Sequence, residues 1–493
     1  MLIFLLFLAI DVDGEFYIQI DHRSSSNNLF FLDEGFINPS AGYGIIGADV
    51  NPAVLASGGN LDFYTGFSLT GRGVLDFDEY YNVEGVEDSI RIPFSVRYNE
   101  LGGMDFFGIS KKIGPVNIGI CRPGGYKWGF EMGLTGSVSG DFNPEDPIEL
   151  NHGDHPEIPE EDTIIVDLPI SGGIFIDTPE PLRIEYSSSP IFIGAGTGFG
   201  PVKVGVGLKF TKNRILGKGS ITVRPDTFSI LVDTVVRSPS GDDWTVDSLV
   251  GYAVIDDTLY YGNLDGDIST TQTAFDLGVI LDTKILKLSL AYEYGTSYTL
   301  TGNYKWLFRE IAGFPEVLEF DTSGLQVDSI NNIVSGSVGV IFNEIPKETN
   351  SEIGISNLHF AGYHSLRGGV QLDLFLLRLG LNGSIDFPTS GDIRLMRLDA
   401  GLAFGLPIPV FDVNMGLAGS LIWLNTEDED FFLPSATIGM SLSYKQDNFR
   451  VDLPFKLNIT QFLLSAVEQV EEEDISFDFW GNINLGLGIG ISL

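Results

Sequence analysis

The chain has 493 residues, with 28 Lys+Arg against 67 Asp+Glu and a formal charge of −39. That balance repels a phosphate backbone and excludes a nucleic-acid partner, while 36 Phe and 43% hydrophobic residues exclude a disordered chain. A single cysteine, Cys121, excludes an internal disulfide and a Cys-based metal site.

The first segment, MLIFLLFLAI, is apolar from Leu2 to Ile10. It is too short to span a membrane as a helix and reads as the h-region of a secretory leader over residues 1–15, although it lacks a preceding Lys or Arg and an A-x-A cleavage site. A buried strand is the alternative reading. No later stretch is long and apolar enough for a membrane helix, so any crossing must be made by strands.

From residue 61 the apolar side chains return with a period of two. Leu61, Phe63, Thr65, Phe67 and Leu69 share one face. Val202, Val204, Val206, Leu208 and Phe210 stand opposite Lys203, Gly205, Gly207, Lys209 and Thr211, and the preceding strand IFIGAGTGF meets them across Gly200-Pro201. Phe275, Leu277, Val279 and Leu281 turn at Asp282-Thr283-Lys284 into Leu286, Leu288, Leu290, Tyr292 and Tyr294. Leu398 to Phe404 turns at GLPIP into Phe411 to Leu417, and Ile438 to Tyr444 turns at KQDN into Phe449 to Ile459. The last stretch, FDFWGNINLGLGIGISL, keeps its bulky residues on the odd positions and Gly, Asn or Asp mostly on the even ones. Alternation alone fits both a soluble sandwich, with the apolar face inward, and a membrane barrel, with that face toward lipid.

Loop lengths separate the two. Between the tight hairpins lie long acidic connections, 141–162, 212–272, 305–333, 424–433 and 462–474. Short turns alternating with long loops are expected of an up-and-down barrel with one rim on each side of a membrane, and a sandwich has no reason to sort its loops this way. The pattern predicts an all-β, transmembrane antiparallel barrel of about 14 to 16 strands. Tyr292, Tyr294, Trp306, Tyr444, Phe477, Phe479 and Trp480 fall near strand ends, where interfacial girdles or hairpin-end packing would place them.

Lys203, Lys209, Lys287, Arg378, Arg397 and Arg450 share the polar parity and should face the lumen. There they could hold a carboxylate ligand, Lys287 and Arg378 being the candidates retained, or pair with acids such as Glu293, Asp399, Asp412 and Asp452. The loop NHGDHPEIPEED gathers His152, Asp154, His155, Glu157, Glu160, Glu161 and Asp162 without EF-hand or HExxH spacing, and reads as a solvated acidic loop. Glycine runs such as GAGTGFG lie within strands, which argues against a phosphate loop. Cys121 shares the inward parity of Asn117 and Gly119 and reads as filler. No catalytic residue, metal site or cofactor is expected.

One segment before the first strand, INPSAGYGIIGADVNPAVLASGG, carries Asn51-Pro52-Ala53. Together with FFGISKKIGPVNIGICRP, IEYSSSPIFIGAGTGFGPVKVGVGLKFTKNRI and FDLGVILDTKILKLSLAYEYGTSYTLTGNYKW, it resembles the FadL/TodX family of outer-membrane transporters of hydrophobic compounds over about residues 50–305. The chain departs from that pattern in ending at Leu493 rather than Phe. The resemblance implies a 14-stranded barrel over 59–493, a hatch over 16–58 with Asn51, Pro52 and Ala53 as its working segment, and uptake of fatty acids or similar molecules without covalent chemistry. In YKWLFREIAGFP, Trp306, Leu307, Phe308, Ile311 and Phe314 would form a short amphipathic helix in an outer loop, which is either the capture groove that the resemblance implies or a self-packed cap over the barrel mouth. The expected setting is the bacterial outer membrane, with a hydrophobic small molecule and membrane lipid as partners and the chain a monomer. A platform for secreted or surface proteins and a soluble secreted sandwich or adhesin are the alternatives.

Overall fold

The computed structural model describes residues 11–23, 44–70, 72–81, 90–100, 103–142, 148–153, 156–160, 163–166, 170–225, 229–230, 245–253, 260–312, 316–328, 333–343, 346–374, 377–390, 394–425, 430–446, 448–459 and 483–493. The period-two segments pair into a closed antiparallel barrel of 14 strands. In chain order the wall is β1 (Leu61–Thr70), β2 (Gly103–Ile113), β3 (Val116–Arg122), β4 (Ile170–Phe199), β5 (Val202–Pro225), β6 (Tyr260–Asp282) and β7 (Leu286–Gly295). It continues through β8 (Tyr363–Leu374), β9 (Leu377–Pro388), β10 (Arg394–Pro407), β11 (Phe411–Asn425), β12 (Asp430–Gln446), β13 (Phe449–Asn458) and β14 (Ile483–Ser492). Each strand pairs with the next, and β14 returns to β1 with Asp62↔Ser492 through Thr70↔Asn484 in register.

The two faces are inverted relative to a water-soluble protein. Leu402 and Leu381 are each 61% exposed and Leu290 59%, whereas Glu293 is 2% and Asp452 3% exposed. Lys209, Arg378, Asp412 and Lys456 are likewise buried on the inner face. A surface of aliphatic side chains around a charged interior suits hydrocarbon outside and an enclosed lumen within, and a sandwich core of bulky side chains is not formed. The expected girdle residues Phe477, Phe479 and Trp480 lie outside the described residues.

Several expected loops are sheet instead. β5 and β6 pair without interruption from Val202↔Leu281 to Val223↔Tyr260, so much of 212–272 is tall wall. Alternating partners such as Ile215↔Ile268 and Arg214↔Ser269 carry the pattern upward. Similarly, 424–433 is the end of a hairpin, with Asn425↔Asp430 still paired. The segment 462–474 lies outside the described residues. Five wall strands have an upward continuation: β1 into Arg72–Tyr81, β3 into Tyr126–Phe142, β7 into Tyr298–Ala312 and, reading downward, Ile90–Glu100 into β2 and Pro346–Phe360 into β8.

The amino-terminal region divides differently from the expected 1–15 and 16–58. Asp11–Arg23 is one strand, antiparallel to Tyr126–Phe142 and parallel to Ile90–Glu100. Phe16, Ile18 and Ile20 alternate with Tyr17, Gln19 and Asp21 and give it strand periodicity, so a boundary at 15/16 cuts through a continuous element. Residues 16–23 therefore belong to the sheet, and the part seen within the lumen is 44–58.

If the bulky parity is lipid-facing, Leu402→Arg near the middle of β10 should cost about 2–4 kcal/mol of folding stability in vesicles. A denaturant titration reads this, and a cost near zero would mean that the face does not meet hydrocarbon.

Candidate functional site

The lumenal segment is rigid because of its sequence. Pro52 opens a short 3₁₀ helix, Pro52–Ser57, where its missing N–H is no loss. Asn51 caps that turn: its Oδ1 accepts from Ala53 N at 3.0 Å, and its own N–H donates to Gly47 O at 2.9 Å. Asn51, Ala53, Val54 and Leu55 are completely buried. Ile45, Val54 and Leu55 form one apolar cluster with Phe106, Cys121 and Phe192 of the wall.

One row of inward positions makes the seat. Register carries it from Asn117 in β3 to Gly196 in β4, Gly205 in β5, Gly278 in β6, Ala291 in β7 and Arg367 in β8. The middle of the row has no side chain, and the lumenal segment 44–58, the described part of the expected hatch, lies directly on the backbone there. A Cβ on Gly278 would stand 1.8 Å from Asn51 Oδ1, one on Gly205 2.2 Å from the Pro52 carbonyl carbon, and one on Gly196 2.9 Å from Pro52 O. The two ends of the row grip. Asn117 Nδ2 donates to Leu55 O at 2.7 Å and Gly58 O at 3.2 Å, and Arg367 Nη1 donates to Asp49 O at 3.2 Å and Val50 O at 3.3 Å. At the rim Lys203 Nζ joins Ser57 Oγ, 2.7 Å, to Asp282, 2.6 Å.

Directly beside the hatch lies a charged cluster. Glu293 accepts from Lys209, from Tyr363 and, at 2.7 Å, from Arg367 Nη2. Asp276 and Glu293 face each other across β6 and β7. Burial pushes the Asp49 carboxyl of the hatch up, against the pull of Lys209 and Arg367.

Farther from the short-turn rim the lumen becomes aromatic. Tyr298 stacks on Phe360 with ring centroids 4.9 Å apart and planes 4° from parallel, and Tyr186 stacks on the same ring at 6.3 Å. Ile268 and Leu300 are fully buried beneath, with Ile215, Tyr304 and Leu358 packed against them. The shelf has one polar edge: Tyr186 Oη donates to Asn213 Oδ1 at 3.1 Å and lies 3.2 Å from Tyr298 Oη, while Asn213 Nδ2 reaches Gln272 Oε1 at 3.5 Å.

Sequence reasoning locates part of this site. Asn51, Pro52 and Ala53 are at its centre. Arg378 instead binds Asp412 Oδ1 at 3.0 Å, a carboxylate shared with Lys445 at 2.7 Å, toward the short-turn rim. Lys287 stands beside a short turn, in register with Asp282 and Gln371. The expected helix at 304–315 is the strand Tyr298–Ala312: Trp306 is in register with Leu264 and Leu307 with Asn263. Phe308 and Ile311 belong to the same strand, and Phe314 lies outside the described residues. The apolar spacing suggests a period of 3.6, but pairing on both edges of the strand satisfies the backbone better than an isolated turn of helix. In the acidic loop His152 Nδ1 lies 2.5 Å from Ile158 O, closing the loop on itself. Sequence reasoning misses the glycine row, Arg367 and the aromatic shelf, although Gly recurring on the inward parity of three neighbouring strands is a readable signal.

No protein-family model and no curated protein matches this sequence. Among solved structures, the chain is similar to the toluene transporter TodX of Pseudomonas putida at 10% identity, covering 92% of this chain and 99% of that one, with a TM-score of 0.41. CdiB from Acinetobacter baumannii shows 11% identity over 86% of this chain and 66% of its own, TM-score 0.26. A loop-deletion mutant of OmpT, an outer membrane protein of Vibrio cholerae, shows 9% over 88% and 100%, TM-score 0.25.

Adding a methyl group to the seat should expel the hatch. Gly205→Ala and Gly278→Ala are each expected to cost docking about 1–3 kcal/mol, roughly ten- to a hundredfold in the open population. Alkylation of native Cys121, buried beneath the hatch, reads that population. Gly368→Ala, whose Cβ would meet nothing nearer than 3.7 Å, is the matched control, and equal labelling of all variants would refute the seat.

Proposed function

We propose that this chain is a bacterial outer-membrane channel for uptake of hydrophobic small molecules such as long-chain fatty acids, with residues 44–58 as its stopper. The observation that carries this reading is the aromatic shelf of Tyr186, Tyr298 and Phe360 inside the barrel. Barrel interiors are ordinarily polar, and stacked rings with a single hydroxyl and amide edge suit a molecule with an apolar body and one polar end. The outward aliphatic face supports residence in a bilayer. No redox, nucleophilic or group-transfer step is invoked: binding and passive release suffice.

A route past the stopper is supported by the upper wall. β2 and β3 pair from Phe107↔Arg122 to Ile113↔Val116, at the level of the hatch. Above, their continuations do not pair with each other, and Asp11–Arg23 occupies the space between them. Pro123, Gly124 and Gly125 form the break in the β3 side. One ladder of this inserted strand is parallel, the less stable pairing per residue, so its displacement would open the wall sideways toward lipid. A greasy solute leaving that way never crosses bulk water.

Purified protein in liposomes should take up labelled fatty acid well above empty vesicles, and uptake equal to empty vesicles would reject the channel in favour of a docking platform. Tyr298→Ala with Phe360→Ala should lower uptake about tenfold, near the ~1.5 kcal/mol of a lost aromatic pair, while heat-modifiable migration stays intact. In a Cys121→Ser background, Ile18→Cys with Met132→Cys, a registered pair, should stop uptake when oxidised and restore it on reduction. Unchanged uptake in the locked form would reject the sideways route alone.

A further inference from the structure

The cluster against the hatch does not balance its charge. Two cations, Lys209 of β5 and Arg367 of β8, face three carboxyls: Asp276 of β6, Glu293 of β7 and Asp49 of the hatch. The other titratable groups turned toward it are Tyr363 of β8, bonded to Glu293, Cys121 of β3, and Asp386 of β9, which faces Arg397 of β10 as well as Arg367. Asp386 and Arg397 offset each other across their own register pair. One carboxyl of the cluster is left in excess.

The geometry shows where the imbalance lies. Asp276 is 1% exposed, and no donor of the protein reaches its Oδ2. Asp276 stands directly opposite Glu293 as its cross-strand register partner. Two carboxylates on directly opposed buried positions repel, and a proton on the one without a donor relieves that repulsion. Glu293 meanwhile keeps its charge for Lys209 and Arg367, and Arg367 spans from that carboxylate to the hatch carbonyls of Asp49 and Val50. Asp49, with Oδ1 also unpartnered, is buried beside the same groups.

We infer that Asp276 and Glu293 form a buried proton-binding site whose occupancy fastens the hatch to the barrel wall. With the proton in place the cluster is neutral and Arg367 bridges Glu293 to the hatch. When the proton leaves to lumenal water, Asp276 becomes a second anion beside Glu293, draws on the same two cations and repels ionised Asp49. Burial already disfavours that ion in the docked hatch. The proton is bound more tightly in the docked state, so docking holds at low pH and weakens as pH rises. This reading concerns the stopper and is independent of the solute carried.

The sole thiol supplies the test, since Cys121 packs in the same cluster as Ile45 and Leu55 of the hatch. The full chain in detergent is alkylated with a small maleimide between pH 6 and 9, and each rate is divided by that of the denatured chain at the same pH, which removes thiol ionisation. The ratio should rise at least about tenfold in the wild type, the slope set by loss of one proton, and change less than about twofold in Asp276→Asn, whose amide stands in for the protonated acid. Glu293→Gln should label fast at every pH, because Lys209 and Arg367 lose their anion. A flat wild-type ratio, an Asp276→Asn response equal to wild type, or a ratio that tracks sodium concentration at fixed pH would each overturn the site. Should Asp276→Asn not fold, hydrogen exchange of amides 44–58 in the wild type, corrected for intrinsic rates, decides the matter: protection independent of pH overturns it.

Discussion

Ring closure is the constraint on which the rest depends. Hydrocarbon offers no hydrogen-bond partner, so each wall strand must satisfy its backbone on a neighbour and the last must find the first. Here Leu61 and Leu493 exchange both backbone bonds, at 3.0 and 2.8 Å. Next to them Asp62 gathers Gly59 N at 2.9 Å, Ser110 Oγ at 3.3 Å and Ser492 Oγ at 2.5 Å. One carboxylate thus ties the end of the hatch, β1, β2 and the closing strand β14. Once the ring is closed, each residue faces either lipid or lumen, and the two-residue alternation of the sequence becomes a distribution of solvents.

Inside, the wall meets its contents in two ways. Against the hatch it withdraws side chains, because the Pro52 backbone occupies the space where a Cβ would stand. Elsewhere it lays large rings over glycine: Phe192 across Gly194 and Gly207, Tyr304 across Gly217 and Gly266, Tyr363 across Gly295. Glycine weakens a strand through entropy and lost packing, and a ring lying flat over it shields its backbone bonds from water in the lumen. These inward glycines are therefore sockets, some filled by the wall's own aromatics and the central ones by the lumenal segment.

Features that arise within a single strand were legible in the sequence, and features that need several strands together were not. Periodicity and turn chemistry were enough for the inverted barrel and for Lys209 and Glu293 facing inward. The residues of 212–272 misled, because Arg214 and Asp267, charged like loop residues, form a cross-strand pair at 2.7 Å. Asn51-Pro52-Ala53 was singled out by resemblance to a family segment, and the cap that Asn51 makes on Ala53 N is what the structure adds. The seat of that segment was not legible, since Gly196, Gly205 and Gly278 become one surface only after three registers are fixed. The same holds for the shelf: Tyr186 and Phe360 are far apart in the chain and meet only across the lumen.

The glycine row also makes the wall thinnest where the stopper rests. On the lipid side of Gly196, Gly205 and Gly278 the surface dips into a cavity of about 550 Å³ lined by Val116, Val204, Val206, Leu277, Val279 and Leu290. A single layer of backbone separates hydrocarbon from the hatch at this level. Side chains cannot brace the hatch there, so directional fastening falls to the ends of the row, Asn117 on one flank and Arg367 on the other. Asn117 carries no charge, whereas Arg367 is half-buried and is held by the buried Glu293. A buried ion pair loses far more when one partner is disturbed than it contributes when intact. The fit of residues 51–56 is thereby set by glycine, and their directional fastening by Asn117 and by Arg367 held on Glu293.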